Sequence, residues 1–134
     1  GTVYGPRSNN SNSVKNIINY SISNKKILYP GYNKSVREYI HVKDAAEASV
    51  KILGKKYKNK CIMLTGKKSI KIKSFLSTLK KILRIKRKIE FKNKTRYGHY
   101  ISKPKPYKIL IAKKFKFNKV REFKKEIQDL VLEK

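Results

Sequence analysis

The chain has 134 residues, the length of one domain with an ordinary core, and no apolar run of the roughly 18 residues a membrane helix needs. No N-terminal signal pattern is present, so a cytoplasmic location is expected. With 36 Lys and Arg against 8 Asp and Glu the net charge is +28, and the one cysteine excludes an internal disulfide and a cysteine-based metal cluster.

Thr2 to Tyr4 reads as the end of a strand, broken by Gly5-Pro6. Residues 8–12 form a polar loop whose Ser and Asn side chains suit a helix N-cap. Val14, Ile17, Ile18 and Ile22 then follow helical spacing, predicting a helix over about 13–24. Residues 26–29 form a short strand stopped by Pro30-Gly31, and 37–41 another after a loop. Asp44 opens the next helix, where a carboxylate meets unpaired backbone N–H groups. Ala45, Ala48, Ile52 and Leu53 are expected on its inner face, with Gly54 ending it. Residues 60–64 are apolar without alternation, which predicts a strand covered on both faces, with Cys61 a buried structural thiol. Ile72, Phe75, Leu76, Leu79, Ile82 and Leu83 predict a helix over 71–84, followed by a strand over 88–91. Residues 93–108 read as a long loop. Val120, Phe123, Ile127, Leu130 and Val131 mark a terminal amphipathic helix. Strands alternating with helices argue an α/β fold.

The charge invites a nucleic-acid reading. Against it stand 30 Lys to 6 Arg, spread over nearly every segment. Arginine supplies the planar, bidentate contacts favoured by phosphate and guanine readers; lysine supplies a solvated point charge. Lys, Ile and Asn are abundant together, the pattern of an A/T-rich coding sequence, so compositional drift is preferred over a charge-dependent role. The richest stretch, 67–94, holds ten lysines and two arginines against Glu90 alone. No RNA-binding signature of the RRM or KH type is present. Nucleic acid is therefore expected to bind only non-specifically, and a small basic nucleic-acid-binding protein is the alternative reading. A remnant without activity is the third.

The landmarks run in a telling order: GTVYGPRSN, a helix, ILYPG, VREYIHVKDAAEASVKIL, IMLTG, a helix and a strand, then GHY and prolines. This order resembles the NAD-dependent epimerase/dehydratase family of the extended short-chain dehydrogenase/reductases, and REYIHVKDAAEA (37–48) is its most specific part. The resemblance implies the C-terminal part of a Rossmann-type enzyme over 1–134, comprising late sheet strands plus the small substrate-binding domain. The N-terminal cofactor-binding region is expected to be absent. In the intact enzyme it implies hydride transfer to and from a sugar carbon of a nucleotide-sugar, NAD or NADP bound mainly by the missing region, and a homodimer. The family's Gly-rich turn for the cofactor pyrophosphate and its Tyr-x-x-x-Lys acid/base pair are both expected to lie elsewhere, with no Tyr-x-x-x-Lys spacing expected anywhere in these residues, leaving no catalytic residue here.

Residue by residue, the resemblance implies that Thr2 and Val3 lie beside the nicotinamide and that Tyr4, Gly5 and Pro6 shape the active-site floor. It implies that Tyr29 lies near the nucleotide base and that Arg37 reaches the diphosphate. A guanidinium forking onto paired anionic oxygens supports the Arg37 role independently. The bland reading of Arg37 is a surface ion pair with Glu38 or Glu47, and that of Tyr29 is core. His41, between Ile40 and Val42, is expected to be a packed, hydrogen-bonded histidine, and Asp44 a helix-start residue. His99 and Tyr100, on the long loop, are candidate substrate contacts.

Overall fold

The computed structural model describes residues 2–94 and 112–133. Strand β1 (Thr2–Tyr4) stops at the Gly5-Pro6 turn. A Cβ at Gly5 would come within 2.5 Å of Val42 Cγ1, so the turn needs a residue without one. Asn12 caps helix α1 (Ser13–Asn24), its Oδ1 accepting from the Val14 and Lys15 N–H groups. Val14, Ile17, Ile18 and Ser21 form the buried face, and the Ser21 hydroxyl donates to the Ile17 carbonyl at 2.7 Å. The helix ends at Lys25, whose φ of 50° turns the chain out.

Strand β2 (Leu28–Tyr29) follows, then β3 (Val36–His41), which runs without a loop into helix α2 (Val42–Lys51). A 3-10 turn (Lys55–Tyr57), strands β4 (Cys61–Met63) and β5 (Ser69–Lys71), and helix α3 (Ile72–Ile82) come next. Strands β6 (Glu90–Phe91) and β7 (Ala112–Lys114) precede helix α4 (Phe123–Leu132). β3 is central in a three-stranded sheet, parallel to β1 (Tyr4 opposite His41) and antiparallel to β5 (Arg37 opposite Ile70). β2 pairs with β6 and β4 with β7, both parallel.

The core gathers the inner faces of α1, α3 and α4 against this sheet: Val14, Ile17, Ile18, Ile72, Phe75, Leu76, Leu79 and Ile127 are buried. At its centre the Tyr39 ring stacks on Phe123 at 5.6 Å, and Phe75 meets Phe123 edge-on at 5.4 Å. Glycine is required again at Gly66, where a Cβ would lie 2.2 Å from the Tyr39 carbonyl oxygen. No helix among the described residues is long and apolar enough to cross a membrane.

The mixed α/β class holds, with three corrections. The strand at 60–64 is not covered on both faces: Cys61 is exposed, and Ile62 and Met63 are half-buried, in a strand paired with β7. Cys61 is accordingly not a buried thiol. Leu53 is 84% exposed because α2 stops at Lys51, two residues before the inner-face spacing would reach it.

Candidate functional site

Because β3 feeds directly into α2, His41 is at once the last strand residue and the cap of the helix. Its Nδ1 accepts the Lys43 N–H at 3.3 Å, and its Nε2 lies 3.2 Å from Glu126 Oε2 on α4. Those two bonds define the neutral tautomer, with Nε2–H donating to the carboxylate. Burial is the main cause that pushes the imidazole pKa down, and it outweighs the opposing pull of Glu126 and Asp44. Tyr4 packs its ring edge-on to His41 at 5.2 Å. Burial, reinforced by the Glu126 and Asp44 carboxylates, pushes the Tyr4 phenol up, so it stays protonated.

One helical turn on, Asp44 is also buried. It accepts the Arg121 backbone N–H at 3.1 Å and a close bond from the same residue's Nη1, while Nη2 donates to Glu47 at 2.8 Å. That bond holds the Glu47 carboxyl below the usual carboxylate range. Asp44 is thus a helix-start residue and an anchor for the chain entering α4. Among the described residues no buried side-chain N or O lacks a partner, and no His, Cys, Asp and Glu groups converge on a metal-sized site. The cluster clamps α4 to α2, with its donors and acceptors turned on one another.

The expected site residues fall at separate places. Thr2 is half-buried opposite Tyr39, and Val3 is 46% exposed with its carbonyl accepting from Asn12 Nδ2 at 2.7 Å. Tyr4 is 3% exposed and Pro6 is exposed. Tyr4, Gly5 and Pro6 border a cavity of about 70 Å³ closed by Ser8, Asn12 and Lys15, too small for more than a few waters. Arg37 is half-buried on β3, with Nη1 donating to the Val36 carbonyl at 2.9 Å. It lies four residues from His41, about 13 Å along the strand. Glu38 pairs with Lys114 at 3.3 Å, and Glu47 with Arg121. Tyr29 is buried, its ring edge-on to Phe91 at 6.2 Å. His99 and Tyr100 lie outside the described residues.

One expectation needs correcting from the sequence itself. The spacing Tyr-x-x-x-Lys does occur, at Tyr39 and Lys43. An acid/base pair of that spacing needs both side chains on one helix face. Here Tyr39 is on β3 inside the aromatic core and Lys43 is exposed on the first turn of α2, so the spacing is coincidental. By themselves the described residues do not complete an NAD site. The chain has no glycine-rich turn, and the Tyr4 ring is packed inward; of the four residues expected at the cofactor, Val3 and Pro6 present exposed side chains.

Sequence reasoning missed Arg121 and Glu126. Both left a trace. Arg121 is one of 6 arginines in a chain whose default cation is lysine. Glu126 is a carboxylate three residues after Phe123 and one before the fully buried Ile127, on the inward side of its helix.

Comparison with known proteins gives a partial match. Residues 1–64 match the NAD dependent epimerase/dehydratase family. Among solved structures, the chain is similar to UDP-glucuronic acid 4-epimerase from Bacillus cereus, solved with NAD, at 25% identity and a TM-score of 0.59, over 67% of this chain and 30% of that one. A GDP-L-fucose synthetase from Naegleria fowleri bound to NADP shares its fold at a TM-score of 0.69 and 17% identity, over 98% of this chain and 42% of that one. GDP-mannoheptose C4 reductase from Campylobacter jejuni with NADP bound does so at 0.63 and 18% identity, over 98% and 46%. The chain spans half or less of the length of each. No curated protein matches it. The fold is that of a portion of the extended nucleotide-sugar enzymes.

Proposed function

We propose that the chain is the substrate-binding part of an NAD(P)-dependent nucleotide-sugar epimerase, dehydratase or reductase. Hydride transfer to and from the sugar carbon is assigned to a cofactor and an acid/base pair held by residues other than these 134, in an enzyme that is a homodimer when intact. The observation that carries this reading is the family match over residues 1–64, the stretch that folds as β1, α1, β2, β3, α2, the 3-10 turn and β4. Within it Arg37 has the chemistry a diphosphate demands: a planar guanidinium on a rigid strand, able to fork onto two anionic oxygens. Thr2 and Val3, on β1 beside β3, are assigned here to the sugar and the nicotinamide, an assignment their adjacency to the Arg37 strand supports. Tyr29, with its ring inside the core, supports a nucleotide base through the backbone of β2 rather than by stacking.

Arg37→Ala tests the assignment. Titration calorimetry with UDP- and GDP-sugars should show affinity falling roughly tenfold to a hundredfold, the loss of one charge-assisted contact. Unchanged affinity would make Arg37 a surface residue.

A further inference from the structure

A second concavity lies away from Arg37. It is a cleft of about 290 Å³ between α2, the 3-10 turn and the stretch 115–119, close to the lower end of small-molecule sites at roughly 300 Å³. Two features set it apart from the general basic surface. The first is an aromatic floor. Tyr57 and Phe117 are half-buried, and Phe115 beneath them is buried, 5.9 Å from Tyr57 and 4.8 Å from Phe117. Phe115 is fixed by its own N–H donating to the Met63 carbonyl at 2.9 Å, so the platform is anchored on β4. The second is a set of exposed cations: Lys51 at the end of α2, Lys56, whose Nζ lies over the edge of the floor at 4.9 Å from the Tyr57 ring centre, and Lys116 and Lys119 in the stretch 115–119. Asp44 and Glu47 also line the cleft, and both already bind Arg121.

Aromatic faces offer a base a stacking surface, and ammonium groups offer phosphates a point charge. Neither half is selective alone; together they suit a molecule that carries both. We propose that this cleft binds a nucleoside phosphate, with the base against Tyr57 and Phe117 and the phosphates among Lys51, Lys56, Lys116 and Lys119. The same chemistry is presented by a free nucleotide and by a nucleotide within a single strand.

The test is calorimetry of the full chain at about 150 mM salt with ADP, pyrophosphate and oligouridylate. ADP should bind measurably more tightly than pyrophosphate, because pyrophosphate has nothing to stack. Phe117→Ala should weaken ADP about fivefold or more and leave pyrophosphate nearly unchanged. The Lys116→Glu/Lys119→Glu double variant, altered at exposed positions, should weaken both. A control pair on α3, Lys73→Glu/Lys81→Glu, should alter neither. Equal loss in the two double variants would show that diffuse charge does the binding and would overturn the site. So would ADP binding no tighter than pyrophosphate. Loss of ADP binding in Arg37→Ala would place the nucleotide at the proposed substrate site and likewise overturn this cleft, whereas a failed Arg37 assignment leaves the cleft result untouched. Oligouridylate competing with ADP for the cleft marks a single strand as the source; ADP binding that oligouridylate cannot displace marks a free nucleotide.

Discussion

His41 shows how one side chain can be read correctly in kind and still hide its main partner. Its apolar neighbours Ile40 and Val42 announce a packed histidine, and it is one. The bond to Glu126, 85 residues away in sequence, has no local signature. In the neutral tautomer both ring nitrogens are satisfied, one capping α2 and one donating to α4. Protonation at Nδ1 would set a donor against the Lys43 N–H and break the cap. The consequence for pH has a definite sign. The folded-state pKa is depressed, chiefly by burial, so below the ordinary value of about 6.5 the unfolded chain takes up a proton that the folded chain resists. Stability should therefore be full above about pH 7 and fall as pH drops through the unfolded pKa toward the folded one. Urea titrations at a series of pH values check this against His41→Asn, which keeps a side-chain cap but cannot titrate. The variant should lose the part of the pH dependence near pH 6. Equal slopes in both proteins would show that another group is responsible.

At the scale of elements, the four α-helices and strands β1, β2, β3, β4 and β6 were legible, and β5, β7 and the pairing of the strands were not. The stripe Val14, Ile17, Ile18 predicted α1, and the stripe from Ile72 to Leu83 predicted α3, because helical burial repeats within one segment. β5 and β7 are three residues long, and each carries exposed lysine or serine, so they offer no apolar alternation. They exist through pairing with β3 and β4, which is non-local information. The same limit hid the α2–α4 clamp: Asp44 was visible at the head of a helix, and its partner Arg121 lies 77 positions on. Arg37 and Tyr29 were found from the motif that surrounds them, while Arg121 had no motif to mark it. Truncating Arg121 to Ala takes the guanidinium bond from the buried Asp44 carboxylate, leaves it the backbone N–H of residue 121, and should cost about 2 kcal/mol, read as a lower urea midpoint. Glu47→Ala should cost far less, since that carboxylate is largely in water. The close approach of Gly66 to β3 makes a stronger claim. A Cβ there meets backbone at the Tyr39 carbonyl, which cannot move without disturbing the central strand. Gly66→Ala should destabilise by roughly 2–3 kcal/mol, visible as a lower thermal midpoint by circular dichroism. An unchanged midpoint would mean that the turn after β4 can be displaced from β3 at little cost.

For the whole molecule, the question is whether +28 net charge is a function or a background. The exposed lysines lie on α2, the 3-10 turn, α3 and the stretch after β7, so no single element collects them. The ion pairs of the described residues use Arg121 twice and Lys114 once, leaving most lysines as solvated point charges. Such a surface should bind any duplex DNA by releasing counterions, without reading bases. Between about 50 and 200 mM salt that affinity should fall steeply, with a log–log slope close to the number of phosphates neutralised. A dedicated reader behaves otherwise: it keeps a specificity ratio of roughly 10³ or more at physiological salt, because base contacts survive where counterion release fades. Competition titration at about 150 mM salt separates the two. Two unrelated duplexes should displace each other in proportion to length alone. A duplex or RNA that excess unrelated nucleic acid fails to displace would overturn the substrate-binding reading, since lysines on flexible stems position a backbone and carry no sequence information. The same reading fixes what the chain does to a nucleotide-sugar. Asp44, Glu47 and Glu126 are spent on the α2–α4 clamp and Glu38 pairs with Lys114, and the chain's one Tyr-x-x-x-Lys spacing is split between a buried strand residue and an exposed helix residue. With UDP- or GDP-sugars and NAD or NADP, these 134 residues alone should therefore bind substrate yet show no cofactor reduction at 340 nm and no epimer by chromatography. Turnover above the buffer rate would mean that a catalytic group stands among them after all.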